Sequence, residues 1–276
     1  MKTIVEKFLK CPVCGFGMFV SDDGKSVYCL GERKHCFDFS SEGYLSLNPR
    51  GSGDTRESVK SRKAFLEKNY FQTAARKIAD MVGLYVKDCN FLVDAGCGEG
   101  YYTNLLSDLS EYTFGVDLSK YACGYAAKKA RADKKQNLLY ATSSVFDLPL
   151  MSGCCDCIVN IFAPCAEEEF CRVLDRGGVL VVAGAGKNHL LGLKEVIYEN
   201  PYVNTERADL PKNMLLIEKV NLSYDICLRD SADIIDLFSM TPYYWRTSEK
   251  DKTKLDKLEK LNTAVEFEIS IYKKQT

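Results

Sequence analysis

Asn90-Phe-Leu-Val-Asp94-Ala-Gly-Cys-Gly-Glu-Gly100-Tyr-Tyr-Thr103 passes from a short apolar run through three glycines at alternate positions into a helical pattern. Phe91, Leu92 and Val93 predict a buried strand, the glycines a turn, and the stretch from about Asn104 a helix. Gly96, Gly98 and Gly100 carry no β-carbons, so the backbone can pass close beneath a ligand. Asp94 and Glu99 bring two carboxylates to the same turn.

The spacing separates two cofactor classes. A dinucleotide fingerprint has its third glycine one residue later and uses the helix N-terminus to hold a pyrophosphate, which a carboxylate at Glu99 would repel. S-adenosylmethionine carries no phosphate, and its sulfonium and ammonium suit an acid-rich turn. Tyr101 and Tyr102 would add aromatic faces near the positive centre. Thr113-Phe-Gly-Val-Asp117 predicts a second strand, ending in an acid 21 residues after Gly96, where a ribose diol needs an acceptor.

A third strand near Leu138 to Ala141 leads to Asp147, readable either as an adenine contact or as a solvated turn aspartate. Asp156 to Phe162 predicts a fourth strand, broken by Ala163-Pro164-Cys165 at the carboxyl edge, where ligands sit in open parallel sheets. Gly178 to Ala183 predicts a fifth. Val265-Glu-Phe-Glu-Ile-Ser-Ile alternates like a half-exposed antiparallel strand. The expected architecture is α/β: a class I methyltransferase, Rossmann-like, with a seven-stranded mainly parallel sheet, preceded by a small zinc-ribbon-like module.

That module begins at Cys11-Pro-Val-Cys14-Gly, two thiols two residues apart before a glycine turn. A second half follows with Cys29 and His35, and Cys36 stands next door as an alternative fourth ligand. Phe16, Phe19, Val20, Val27, Tyr28 and Phe37 supply its apolar contacts. A segment of about forty residues buries too little surface to fold alone. Structural zinc, at roughly 10 kcal/mol, would serve as its core. The competing reading, a redox pair at Cys11 and Cys14, lacks the flanking strand and helix of a thioredoxin-like unit. With four positions filled the metal would be structural.

The 276 residues carry 37 Lys and Arg against 38 Asp and Glu, a composition that excludes wholesale disorder and fits one large domain with a minor module. Positive charge concentrates in residues 1–77, with 14 basic against 9 acidic side chains. That balance suggests an anionic partner docking at one end, or simply a solvated face. The organisation expected is a zinc module at 1–47, a basic linker and arm at 48–77 and a methyltransferase domain at 78–276. The arm opens with Pro49-Arg50-Gly51-Ser52-Gly53-Asp54, then turns helical with Arg56, Lys60, Arg62, Lys63 and Lys68 closely spaced. Thirteen cysteines, an odd number spread through apolar runs, argue for a reducing compartment rather than a disulfide framework. Cys154, Cys155, Cys157, Cys171 and Cys227 then read as small core residues. Neither a signal peptide nor a membrane-spanning run is expected, which places the protein in the cytoplasm.

With these residues in hand, the chain resembles over nearly its full length the family of ribosomal RNA guanine-N1 methyltransferases that modify a hairpin loop of the large-subunit (23S) RNA. The carriers are Cys11 to Cys14, Cys29 to His35 with Phe37-Asp38, Glu42-Gly43-Tyr44-Leu45, Gly53-Asp54, Arg62 with Ala64-Phe65-Leu66, and Asp94 to Thr103. Asn160 to Cys165, Asn188-His189-Leu190 and Met240-Thr-Pro-Tyr-Tyr-Trp245 continue the match. The resemblance implies zinc on Cys11, Cys14, Cys29 and His35, and S-adenosylmethionine on positions matching Phe71, Gly98, Glu99 and His189. It also implies a homodimer whose zinc modules help line the RNA cleft. Three features depart from the family pattern: a longer gap from Cys29 to His35, Cys36 beside the ligand histidine, and Phe71 where tyrosine is usual. The last gives up about 1 kcal/mol of hydrogen bonding.

Three rival readings stand beside this one. An enzyme of the same fold acting on a small-molecule acceptor would not need the basic arm. The turn Pro164-Cys165 invites a cysteine nucleophile of the cytosine-C5 type. A non-enzymatic zinc ribbon on a cofactor-bound scaffold would leave the intact glycine turn unexplained. Among Tyr243, Tyr244 and Trp245, stacking on RNA competes with ordinary core packing.

Overall fold

Ile4, Val5 and Phe8 line one side of the opening helix α1 (Lys2–Phe8), and that side is fully buried. The computed structural model describes residues 1–48, 53–205, 207–208 and 210–275, so the expected loop residues Pro49 to Ser52 lie outside the described residues. After α1 come β1 (Met18–Val20), β2 (Ser26–Cys29) and β3 (Cys36–Asp38), an antiparallel sheet in which Val27 pairs with Val20 on one side and Phe37 on the other. This small sheet does not rely on a core of its own. Ile4, Val5, Phe8, Leu9, Met18 and Val27 join Phe91, Val93, Phe114 and Leu139 in one continuous apolar cluster. The Phe8 ring stacks on Phe91 with centroids 3.9 Å apart. Phe16, expected among the module's internal contacts, is instead exposed.

The strand β4 (Leu45–Ser46) leads to helices α2 (Arg56–Glu67) and α3 (Gln72–Tyr85). The Thr55 hydroxyl caps α2 by accepting from Ser58 N at 3.2 Å. Ala74, Ala75, Ile78, Met81 and Val82, at helical spacing, bury one face of α3. Then follow β5 (Cys89–Ala95), α4 (Tyr101–Leu106), β6 (Ser110–Asp117), α5 (Lys120–Ala132), β7 (Leu138–Thr142) and β8 (Cys155–Ile161). The chain continues through α6 (Glu167–Val173), β9 (Leu174–Ala185), α7 (Leu191–Ile197), β10 (Leu215–Leu228), α8 (Ser231–Ser239) and β11 (Leu261–Lys273).

The main sheet has the order β10-β11-β9-β8-β5-β6-β7-β4. β11 runs antiparallel to both of its neighbours, while the pairings from β9 to β4 are parallel. Seven of these strands form the expected sheet. The eighth, β4, comes from the N-terminal segment and pairs Leu45 with Ala141 and Ser46 with Thr142. Helices cover both faces, as a parallel sheet requires. α1 and α6 cover one, and α3, α7 and α8 the other. The longest strand, β10, carries no expectation from the sequence: as an edge strand its residues alternate between exposed and half-buried, without a strong apolar run. It also holds Cys227 in an exposed position, whereas Cys155 and Cys157 are core residues as expected. No helix among the described residues is long and apolar enough to cross a membrane.

Candidate active site and metal centre

β5 lies between β6 and β8 in the sheet's interior, so its carboxyl end delivers Asp94 and the glycine turn to the middle of the sheet's upper edge. Two of the glycines answer to packing. A β-carbon at Gly96, whose φ is +90°, would stand 2.3 Å from Ala163 Cβ. One at Gly100, at φ +84°, would stand 2.5 Å from Tyr140 Oη. Gly98 differs: its β-carbon would meet only the Arg62 guanidinium, at 3.5 Å, so this residue faces the cleft. The helix starts at Tyr101, directly after Gly100, rather than near Asn104. Tyr101 and Tyr102 therefore sit in its first turn, half-buried against the core cluster that includes α3.

Three predicted acids converge here. Asp117 spends one carboxylate oxygen on Gly98 N (3.1 Å) and the other on Ser119 N (2.8 Å), tying the end of β6 to the glycine turn. Burial raises its pKa. Asp94 is buried and accepts from Thr103 Oγ1 at 2.6 Å. Burial pushes it up to about 7 against that hydrogen bond, with the charges of Asp117 and Glu99 adding to the rise. Glu99 is also buried and also raised to about 7, mainly by burial, while Arg62 pulls the other way. Among the described residues its Oε2 has no hydrogen-bond partner, and Arg62 Nη1 lies 3.7 Å away.

The sequence placed Arg62 among the basic residues of an arm. The structure turns it inward from α2, where it bridges Asp54 and Glu99. Ser119 Oγ donates to Asp54 O at 2.8 Å, which straps the start of this segment across the end of β6. Lys63 pairs with Glu67 and Lys68 with Asp233, leaving Arg56 and Lys60 as the exposed cations of α2. Of these contacts Asp94, Glu99 and Thr103 fall within the quoted motif, whereas Arg62, Asp54 and Ser119 enter through tertiary packing.

His189 and Phe71, implied by resemblance, do come together, with ring centroids 5.9 Å apart. Both are buried, and Phe267 and Phe162 complete the aromatic group. His189 Nδ1 accepts from Glu266 N at 3.2 Å, and burial lowers its pKa to about 4, so the ring is neutral at physiological pH. Asp147 is exposed on the turn after β7. Cys165 is buried in the core cluster that contains α1 and α6, a poor position for a nucleophile. Tyr243 is a core residue, whereas Trp245 is largely exposed.

At the other end of the chain, Cys11, Cys14, Cys29 and His35 bring their donor atoms within 4.8 Å of one another. Cys14 Sγ and Cys29 Sγ are 3.7 Å apart, and His35 Nδ1 lies 3.4 Å from Cys29 Sγ and 3.6 Å from Cys11 Sγ. Tetrahedral zinc, with sulfur at about 2.3 Å, requires edges of about 3.8 Å between thiolates and slightly less to nitrogen, so the donor set fits the ion. Cys36 is exposed, with its sulfur directed to Asp38, and stands outside the group. Burial opposes ionisation of Cys29, but the amides of His35 and Gly31 and the His35 ring outweigh it and bring its pKa to about 6.

Residues 93–182 match the methyltransferase domain family. The solved structure of the YcgJ protein from Bacillus subtilis superposes with a TM-score of 0.51 at 12% identity, over 73% of this chain and 99% of its own, which establishes the shared fold. Among curated proteins, the 23S rRNA (guanine(748)-N(1))-methyltransferase of Streptomyces fradiae is 30% identical over 71% of this chain and 70% of its own. YxjB of Bacillus subtilis (strain 168), whose name gives it provisionally a 23S rRNA (guanine-N(1)-)-methyltransferase activity, is 27% identical over 98% of both chains. The fold, the acid-lined glycine turn and this similarity through both ends of the molecule agree: the chain belongs to the 23S rRNA (guanine-N1-)-methyltransferase family.

Proposed function

We propose that this protein transfers a methyl group from S-adenosylmethionine to N1 of a guanine in a hairpin loop of 23S ribosomal RNA, in the cytoplasm and as a homodimer. The observation that carries the cofactor assignment is the buried Glu99, whose Oε2 has no hydrogen bond among the described residues, beside Asp94 and Asp117. A cleft with three carboxylates and one guanidinium favours a cationic ligand and disfavours a pyrophosphate. Family membership supports the RNA substrate. The cofactor-binding set is Phe71, Asp94, Gly96, Gly98, Glu99, Asp117 and His189. Zinc on Cys11, Cys14, Cys29 and His35 holds the module of residues 1–47 in shape. The described part of the arm, from residue 53, lays α2 beside the methyltransferase domain of 78–276, with Arg62 reaching Glu99 and Lys68 reaching Asp233.

Bound S-adenosylmethionine supplies a methyl activated by its sulfonium, with a neutral thioether as leaving group. Asp94 and Glu99 would face the positive end of the cofactor and Asp117 its ribose diol, while Gly98 leaves the approach open. Guanine N1 carries a proton and is concealed in Watson–Crick pairs, so the acceptor is an unpaired or flipped base, as a loop provides. The protein's part in the rate is then chiefly alignment of N1 with the methyl and the departing sulfur.

Reverse transcription across 23S RNA that lacks the modification tests the assignment, because a methyl on N1 blocks pairing. A stop at a loop guanine that requires both protein and S-adenosylmethionine is expected. A protein that binds the cofactor yet produces no stop would instead point to a small-molecule acceptor.

A further inference from the structure

Phe162 combines three features that packing does not explain. It directly follows β8 in the left-handed region, at φ +51°, a conformation costly for a bulky side chain that Gly or Asn would adopt more easily. Its ring is 47% exposed although it is one of the larger apolar side chains. It also stands at the carboxyl edge of the sheet, where the next residue, Ala163, touches the glycine turn at Gly96.

The backbone around it is held firmly. Phe162 N donates to Ala183 O at 2.9 Å. Asn160 Nδ2 clamps Ala95 O at 2.9 Å and Pro164 O at 3.1 Å, joining the end of β8 to the end of β5. The ring is braced by Phe267 in a T-shaped contact, with centroids 5.0 Å apart, and by His189 at 5.5 Å. The left-handed backbone thus leaves a partly exposed ring, packed on Phe267 and His189, at the strand end beside the turn assigned to the cofactor.

Accepting the function set out above, we infer that Phe162 is the platform on which the acceptor guanine stacks. Once its proton has passed to water or to a basic group at the site, N1 attacks with electrons in the plane of the base, so the methyl must lie in that plane. A ring against one face of the guanine fixes the plane and leaves the N1 edge free to meet the methyl. Every base offers such a face, and an unpaired loop base has one to give.

The test compares the unaltered protein with Phe162→Ala, Phe162→Leu and Phe162→Tyr in steady-state methylation of unmodified 23S RNA. Calorimetry with S-adenosylmethionine and thermal melting accompany each protein. Leucine keeps apolar contact with Phe267 and His189 but loses the flat face, so it covers the case in which alanine disturbs folding. Alanine and leucine are expected to lower kcat/KM for RNA roughly tenfold to a hundredfold, with cofactor affinity unchanged and activity restored by tyrosine. Wild-type kcat/KM in the leucine variant would overturn the inference. A matching loss of cofactor affinity would overturn it too, by making the ring a wall of the cofactor site. Failure of the unaltered protein to methylate any guanine N1 would be a different result, removing the underlying function and this role together.

Discussion

The cysteine cluster and the glycine turn both begin as short motifs, yet they are completed in opposite ways. All four metal donors fall between Cys11 and His35, in one short stretch of chain, although Cys11 and Cys29 also sit in the core shared with the main sheet. The acids of the glycine turn are met by Arg62 and Asp54 from the preceding segment, Thr103 from α4 and Ser119 from the start of α5. The first site is specified by spacing and the second by tertiary packing. A motif can therefore announce a cofactor while omitting the side chains that tune it.

The largest effect expected from that difference is at the metal. Cys29→Ser removes a central donor, and zinc of the structural kind is worth several kcal/mol or more. Metal content should drop from one ion per chain to none, with a fall in thermal midpoint on the order of 10 °C. A variant that retained a full equivalent of zinc would break the assignment of this donor. A smaller effect separates the metal from the core beneath it. Phe8→Ala leaves a cavity against Phe91 and should cost about 3 kcal/mol in denaturant unfolding while zinc stays bound, because no ligand is touched. Loss of the metal on that substitution would show that the cluster depends on the shared core after all.

Much of this was legible in the sequence, for identifiable reasons. Strands β5, β6 and β8 each hold a short stretch of residues buried on both faces, mostly apolar, and Asp117 follows at a readable spacing. Cys11, Cys14, Cys29 and His35 form a local pattern. Helix α1 docking on the sheet was not legible, since Ile4, Val5 and Phe8 only reveal their partner once Phe91 is placed. The inward turn of Arg62 was hidden because Lys63 and Lys68 beside it look the same in sequence but find partners at the surface. The backbone of Phe162 was equally hidden: nothing in Asn160-Ile-Phe-Ala-Pro-Cys165 marks a positive φ at a phenylalanine.

The smallest of the expected effects is also the most direct probe of the carboxylate turn. Asp94 and Glu99 sit at about 7 in the folded chain, above their ordinary values of 3.8 and 4.5. A raised carboxyl favours the protonated fold, so these groups cost the ligand-free protein stability as pH rises from about 4 to about 7, and the cost is constant above that. A cation that restores their ionisation must release protons below about pH 7 and none well above it, so its affinity climbs through this window.

Calorimetry of S-adenosylmethionine binding from about pH 6 to about pH 7.5 reads this climb. One cofactor per chain, affinity rising several-fold over that range, a flattened profile in Glu99→Gln, and a midpoint shifted upward in Arg62→Ala are the expected results. Affinity independent of pH in the unaltered chain, or binding of a dinucleotide in place of S-adenosylmethionine, would contradict the assignment of this turn to a cationic cofactor.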